Sequence, residues 1–468
     1  MWHASHGRLS GQIARARARA ADGEGLPFSH LLDRREVDQV FAAYGVGWRG
    51  GVFTPLVTLY AFLGQVLEAD GSCRATVARV LAWLIGRGAP ACSARTGGYC
   101  QARARLPEAA PHALMQRVGR RLHEAHGAGG ALLGGRRIKI VDGSTVSMPD
   151  TPAHQRTYPQ AGTQKPGLGF PLARIVALFC LPSGAVLDAA IGPYKGKQTG
   201  ENALFRSLFG LLQRGDVVAG DCGFGSFWNF AMLQARGVDA IFPLHQKRPE
   251  DFRRGKRLGK DDRLIEWRKP AQRPDWMDRQ TYQSLPETLT LRQVRVHVDV
   301  PGFRVKTLVL VTTLIDSNLY PKAELAGVYR ARWHAELDLR SIKCVMQMDV
   351  LRGKTPAMVR KECWMRLLAY NLIRSVMAQA AATRPQPCPP RELSFTGAWQ
   401  TLHAFASVAL GRGGDPMVYA ALLHAIASHR VGDRPNRAEP RAIKRRPKPH
   451  ALLTEPRHKA RSRLRRAA

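Results

Sequence analysis

A regular exchange of short apolar runs and amphipathic segments between residues 136 and 245 constrains this chain more than any other feature. RRIKIVDGSTVSMPDTP opens it as a β-rich run ending in turn residues. LARIVALFCLPSGAVLDAAIG reads as two strands joined at Pro182, Ser183 and Gly184. GENALFRSLFGLLQRGD follows as an amphipathic helix closed by Gly215. VVAGDCGFGS is a short buried strand that breaks into glycines, FWNFAMLQARGV a further helix and DAIFPLH a further strand. A hairpin followed by alternating helices and strands predicts an α/β fold built on a mixed sheet.

The flanks read differently. Residues 1–130 are basic and helical, with LVTLYAFLGQVLEA and ATVARVLAWLIGRG at helical spacing and Asp70 and Ser72 as turn and cap between them. SARTGGYCQARARLP gathers Arg95, Arg103 and Arg105 beside Tyr99 and Gln101; this fits a helix touching phosphates or a solvated basic face equally. Residues 246–306 are charged and turn-rich, then alternate with period two, which predicts an antiparallel β insertion whose last strand returns to the main sheet. YPKAELAGVYRARWHAELDLRSIKCVM is a long helix, with further helix at 356–382, a linker at 383–391 and helix again at 395–430. From 431 the tail carries 13 Lys and Arg against 3 Asp and Glu, and it is expected to stay disordered until it meets a partner. The expected divisions are therefore 1–130, 131–245, 246–306, 307–382, 383–430 and 431–468.

Charge narrows the partners. Lys and Arg number 71 against 36 Asp and Glu, a net +35 over 468 residues, which favours a polyanion such as nucleic acid. A hydrophobic fraction of 45% supplies ample core. No apolar run reaches the ~18 residues of a membrane span, so no membrane partner is expected. The N-terminus lacks the apolar centre of a signal peptide, and its RARARA run reads as an exposed or DNA-touching helix. The eight cysteines form no CxxC pair and no zinc spacing with histidine, as expected for reduced thiols of a cytosolic protein.

In so basic a chain, acids at strand ends are informative. Asp142 follows IKIV, and Asp221 follows VVAG with Gly223 and Gly225 behind it. Ligands and metals collect at such positions in mixed α/β sheets, although each Asp alone also fits a turn or cap. Asp150 in its PDTP turn and Asp216 at the start of its strand fit less well. Ser144 and Thr145 fit hydrogen-bonded support of Asp142 or closure of the turn after it, the turn being the expectation. In the long helix, Tyr329, Arg332, Glu336 and Lys343 fall within roughly 60° of one another at about 100° per residue. A phenol, a guanidinium, a carboxylate and an ammonium on one face do not make a core-facing stripe. Asp338 points about 200° away from Glu336. Trp267 and Trp276 read as anchors of the β insertion, and Lys354 as a DNA contact or a plain surface lysine.

Y-x2-R-x3-E-x6-K, with Asp142 in VDGST and Asp221 in AGDCG, resembles the DDE transposases of the insertion-sequence-4 family over residues 136–382. The resemblance implies a ribonuclease H-like mixed-sheet core interrupted by an antiparallel β insertion, flanked by helical N- and C-terminal regions. It implies that Asp142, Asp221 and Glu336 are catalytic and hold divalent metal, Mg²⁺ with Mn²⁺ able to substitute and two ions in all, Asp142 bridging them. Three converging carboxylates suit two hard cations acting on an in-line displacement at phosphorus. Tyr329, Arg332 and Lys343 would hold DNA phosphates. The implied activity is cut-and-paste transposition: binding of terminal inverted repeats, cleavage and strand transfer into target DNA. A homodimer bridging two element ends in the bacterial cytosol, at the nucleoid, is implied with it. Many members carry Arg directly after the second Asp, whereas this chain has Cys222 and Gly223. A DNA-binding protein without catalysis, and a nuclease that cuts without joining, therefore stand as alternatives.

Overall fold

The computed structural model describes residues 28–29, 31–48, 51–127, 132–297, 307–386, 388–411, 416–431 and 452–467. The RARARA run lies outside them. Helices α1 (Arg34–Ala43), α2 (Pro55–Leu67), α3 (Cys73–Gly86), α4 (Gly97–Arg105) and α5 (Ala109–His126) come first. Strand β1 (Ile138–Ser147), helix α6 (Pro152–Thr157), strands β2 (Leu172–Cys180) and β3 (Val186–Pro193), helix α7 (Glu201–Ser207), strand β4 (Val217–Ala219), helix α8 (Phe227–Ala235) and strand β5 (Asp239–Pro243) follow. Then come β6 (Lys256–Gly259), β7 (Asp262–Arg268), α9 (Arg279–Ser284), β8 (Thr288–His297) and β9 (Thr307–Thr312). Helices α10 (Lys322–Arg340), α11 (Pro356–Ala382), α12 (Phe395–Gly411), α13 (Pro416–Ser428) and α14 (Arg457–Ala467) complete the chain.

Among the described residues the strands form one nine-stranded sheet in the order β3-β2-β1-β4-β5-β9-β8-β7-β6. β1 pairs antiparallel with β2 and parallel with β4, β4 parallel with β5, and every other pairing is antiparallel. Period-two alternation sorts the side chains onto two faces. Ile138 and Ile140 of β1 and Val217 and Ala219 of β4 join a core with α2, α5, α10 and α11. Val141 and Val218 point the other way, into a second core of Phe205, Phe224, Phe227 and Phe230 beneath α7 and α8. Helices on both faces bury both sides of the central strands, which is why those strands read as nearly continuous apolar runs. Gly184, at φ +73°, closes the β2–β3 hairpin in a conformation that L side chains rarely adopt.

Three expectations, for Ser144 and Thr145, for Arg103 and for the basic tail, are corrected. β1 runs through Asp142 to Ser147, so Ser144 and Thr145 lie in a strand and not in a turn. β6, β7 and β8 extend the main sheet through β9, because β8 pairs antiparallel with β9 over six residues, Arg292 to His297. Trp267 accordingly packs into the second core, edge-on to Phe230, with the Arg248 guanidinium 3.6 Å from its ring centre. Arg103 is not a free basic side chain: Nη1 donates to Gln65 Oε1 at 2.8 Å, which also accepts from the buried Tyr99 hydroxyl. In the basic tail, residues 457–467 are helical; residues 432–451 lie outside the described set.

Candidate active site

Strand register brings the two aspartates together. Ile140 of β1 pairs with Ala219 of β4, and each aspartate lies two residues further on. β4 ends there, so Asp142 continues a strand whose parallel partner has stopped, and Asp221 opens a loop. Gly220 permits that break, since a Cβ there would sit 2.7 Å from Val141 Cγ1. Gly223 lies close behind the second aspartate: its N–H donates to Asp221 Oδ1 at 2.8 Å. Asp142 Oδ1 accepts from the Gly143 N–H at 2.8 Å.

Helix α10 packs across β1 and β4 on the same face of the sheet. Its ends are fixed from outside. The Arg292 guanidinium donates to the Tyr320 carbonyl, and Glu324 accepts from the Leu133 N–H. At the far end Asp338, fully buried, is clamped by Arg374 and Arg391. With its back held this way, α10 turns Arg332 and Glu336 toward the aspartates. After Arg340 the helix widens into a π turn, Ser341–Val345, a feature frequent at functional sites. The following segment bridges to the end of β1 at Ser147 and Val350.

One cavity of about 510 Å³ results, lined by Asp142, Ser144, Asp221, Arg332, Glu336, Arg340, Lys343 and Cys344 together with Gly143 and Leu339. Five of the six residues singled out from sequence line it. Tyr329 does not; its ring lies behind Arg332, 5.3 Å from the guanidinium carbon. Arg332 Nη2 meets Glu336 Oε1 at 3.3 Å, while its Nε is buried with no hydrogen-bond partner. Lys343 Nζ donates to Ser144 Oγ at 2.9 Å. Burial pushes the Asp142 carboxyl up to about 6; the Gly143 N–H and Arg332 oppose this, and the charges of Asp221 and Glu336 add to it.

The chain matches the family model described as Transposase DDE domain over residues 133–372, just over half its length. This chain belongs to the DDE transposases. Within them it falls in the insertion-sequence-4 group. It is 28% identical to "Transposase InsG for insertion sequence element IS4" of Escherichia coli (strain K12), over 74% of this chain and 76% of that protein. It is 32% identical to "Transposase for insertion sequence element IS421" of Escherichia coli, over 15% of this chain and 19% of the other. A solved piggyBac transposase synaptic complex with hairpin DNA aligns at a TM-score of 0.39 and 11% identity, covering 86% of this chain and 83% of that one. That last likeness is too loose to carry weight.

The acids of this transposase offer the oxygen donors that hard cations prefer. Among the described residues, no three His, Cys, Asp or Glu side chains stand close enough together to hold a metal ion. The donor set fits a divalent cation in kind, but its three carboxylates are not gathered to ligand distance in this conformation, in which Glu336 turns toward Arg332. Sequence reasoning missed one lining residue with a readable signal and took another for a turn residue. Arg340 lies four residues after Glu336, on the same helical face. Ser144 lies two residues beyond Asp142 on β1 and so shares its side of the strand. Glu201 is a further omission: burial, with Asp221 adding to it, raises its carboxyl while Arg174 opposes them, and a Cβ on Gly143 would touch it. It arrives from α7 with no local motif to announce it. Among the described residues no helix is long and apolar enough to cross a membrane.

Proposed function

We propose that this transposase cleaves DNA at the ends of an insertion sequence and joins those ends to target DNA. The observation that carries the reading is the single cavity in which Asp142, Asp221 and Glu336, from three distant segments, meet Arg332, Arg340 and Lys343. Asp142, Asp221 and Glu336 would hold Mg²⁺ or Mn²⁺, two ions in all. Such ions stabilise the attacking and leaving oxygens at phosphorus. Arg332 supports a phosphate role, because its buried Nε is a donor that nothing in the protein satisfies. Lys343 would place a second positive charge at the scissile phosphate, and Tyr329 would hold the Arg332 guanidinium from behind. Residues 131–245 and 307–382 are read as a ribonuclease H-like core, with 246–306 as an antiparallel insertion. The net charge of +35 supports DNA as the partner, with terminal inverted repeats recognised by a homodimer that bridges two ends in the bacterial cytosol.

Supercoiled plasmid nicking tests the chemistry. Nicking is expected with Mg²⁺ or Mn²⁺, none with EDTA, and none from Glu336→Gln. Nicking that survives in Glu336→Gln overturns the assignment. Joining of a pre-cut element end to a target plasmid separates a transposase from a nuclease of the same fold. Binding without any nicking would identify a DNA-binding derivative.

A further inference from the structure

We propose that a second cavity, behind the loop that carries Asp221, seats a DNA backbone phosphate neighbouring the one at the acidic cavity. The proposal rests on the transposase reading above. The two cavities share a wall: Asp221 lines the first, and Cys222, Gly223, Gly225 and Ser226 line the second, whose volume is about 250 Å³. The first sets three carboxylates against Arg332, Arg340 and Lys343, whereas the second has no carboxylate and is lined by His245, Lys247 and Arg248 from the loop after β5.

The cations of the second cavity lack counter-ions. Among the described residues neither Lys247 nor Arg248 makes a salt bridge, whereas Arg174, Arg292 and Arg295 each do. Arg248 is partly buried over the Trp267 ring, and that burial lowers its pKa. The Trp267 ring offsets part of the cost of withdrawing that guanidinium from water, but no counter-ion does, and an external anion would supply one. His245 points the same way. Its Nδ1 accepts from the Lys247 N–H at 3.2 Å, so the neutral ring carries its proton on Nε2 and can donate it to an anion. The amides at the start of α8, which Ser226 caps, open beside these residues, and Trp228 offers an apolar wall to a sugar.

A DNA strand brings one negative charge per nucleotide, and phosphate contacts set its register on a protein. A strand with its scissile phosphate at the first cavity that continues across the Asp221 loop would reach the second. The second cavity is a cationic seat on that course, one loop away.

The test uses the full chain and a fluorescent DNA duplex with a single-stranded thymidine tail, in EDTA to prevent cleavage, with Kd measured by anisotropy across a salt series. Lys247→Gln with Arg248→Gln is expected to raise Kd roughly five- to tenfold and to lower the slope of log K against log salt by about 1 to 2. Lys247→Gln alone, which removes an exposed side chain without touching packing, should lower the slope by about 1. Arg214→Gln with Arg236→Gln removes the same charge at the opposite end of α8 and should leave the slope unchanged. Equal slopes in the wild type and the double cavity variant, with tight wild-type binding, overturn this site alone. Absence of wild-type DNA binding overturns the transposase reading with it. Inorganic phosphate is the second probe: if it raises the wild-type Tm but not that of the double variant, while the DNA slopes agree, the cavity takes a free anion and the strand proposal is wrong.

Discussion

Asp142 and Asp221 stand at equivalent positions on adjacent parallel strands, each two residues beyond the register pair Ile140 and Ala219. This equivalence sets two carboxylates side by side on one face, and burial with mutual repulsion raises the Asp142 carboxyl from 3.8 to about 6. A carboxyl raised on folding destabilises the ionised fold, and the penalty is complete once the pH exceeds the folded value. At pH 7 in EDTA, Asp142→Asn is therefore expected to stabilise the protein. After allowance for solvent screening the gain should be about 1 to 2 kcal/mol, seen as a Tm rise of roughly 1 to 2 °C. The same variant should lose DNA cleavage. A lower Tm in EDTA would show that the carboxylate is satisfied and not crowded.

Arg332 is expected to act on cations and on DNA with opposite signs. Its Nη2 holds Glu336 at 3.3 Å, and its charge opposes any metal in the cavity. Arg332→Gln should tighten Mn²⁺ binding several-fold by calorimetry, since Glu336 is released and one repulsive charge is gone. It should also weaken DNA binding and lower cleavage by roughly tenfold or more, because a donor to the phosphate is lost. Parallel loss of both affinities would mean that Arg332 only holds the helix in place.

Local period made part of this arrangement legible and long-range contact hid the rest. Arg332 and Glu336 share a face by helical spacing alone, and both line the cavity. Lys343 reaches it by another route: the helix widens into a π turn before it, and the bridge from Val350 to Ser147 holds that segment against β1. An ideal helix gives the right face there without that reason. The β2–β3 hairpin was readable because Pro182, Ser183 and Gly184 punctuate two apolar runs. Period two announced the end of β8 and β9 as strands, whereas β7 lay hidden in a segment that read as charged and turn-rich. Arg103 looked like a phosphate contact because its partner, Gln65, lies 38 residues away on another helix. Basic residues 457–461 gave no apolar stripe, so their helix was invisible to a reading that seeks one.

Asp338 sits two residues from Glu336 and does different work. Burial alone would raise its carboxyl, but Arg391 and Arg374 overcome that and hold it below the usual carboxylate range. A lowered carboxylate contributes stability above its unfolded pKa of 3.8, and that stability is lost as pH falls through the folded value. Asp338→Ala leaves two buried guanidinium groups unpaired and should cost about 3 to 5 kcal/mol in urea unfolding. Glu336→Gln, by contrast, should change stability little, since its side chain is 41% exposed. A small cost for Asp338→Ala would show that water replaces the carboxylate and that α10 is held elsewhere.

His123 is expected to make the packing of α5 against the sheet acid-sensitive. Its ring is buried, with Nδ1 3.2 Å from Cys180 Sγ and Nε2 without a partner. Burial, together with the charges of Lys139 and Arg137, lowers its pKa to about 4 against the opposing pull of Asp216. The folded state therefore refuses a proton that the unfolded chain accepts near 6.5. Stability is complete above that value and falls as pH drops from about 6.5 toward 4, because the unfolded state binds more protons there. His123→Gln, which cannot be protonated, should lose stability at pH 7 yet show a shallower decline between pH 6.5 and 4.5 than the wild type. Urea midpoints at several pH values measure both slopes. Parallel slopes would place the acid sensitivity at His334, whose pKa is likewise lowered to about 4 by burial, with Arg391 and Arg374 adding to it and Asp338 opposing.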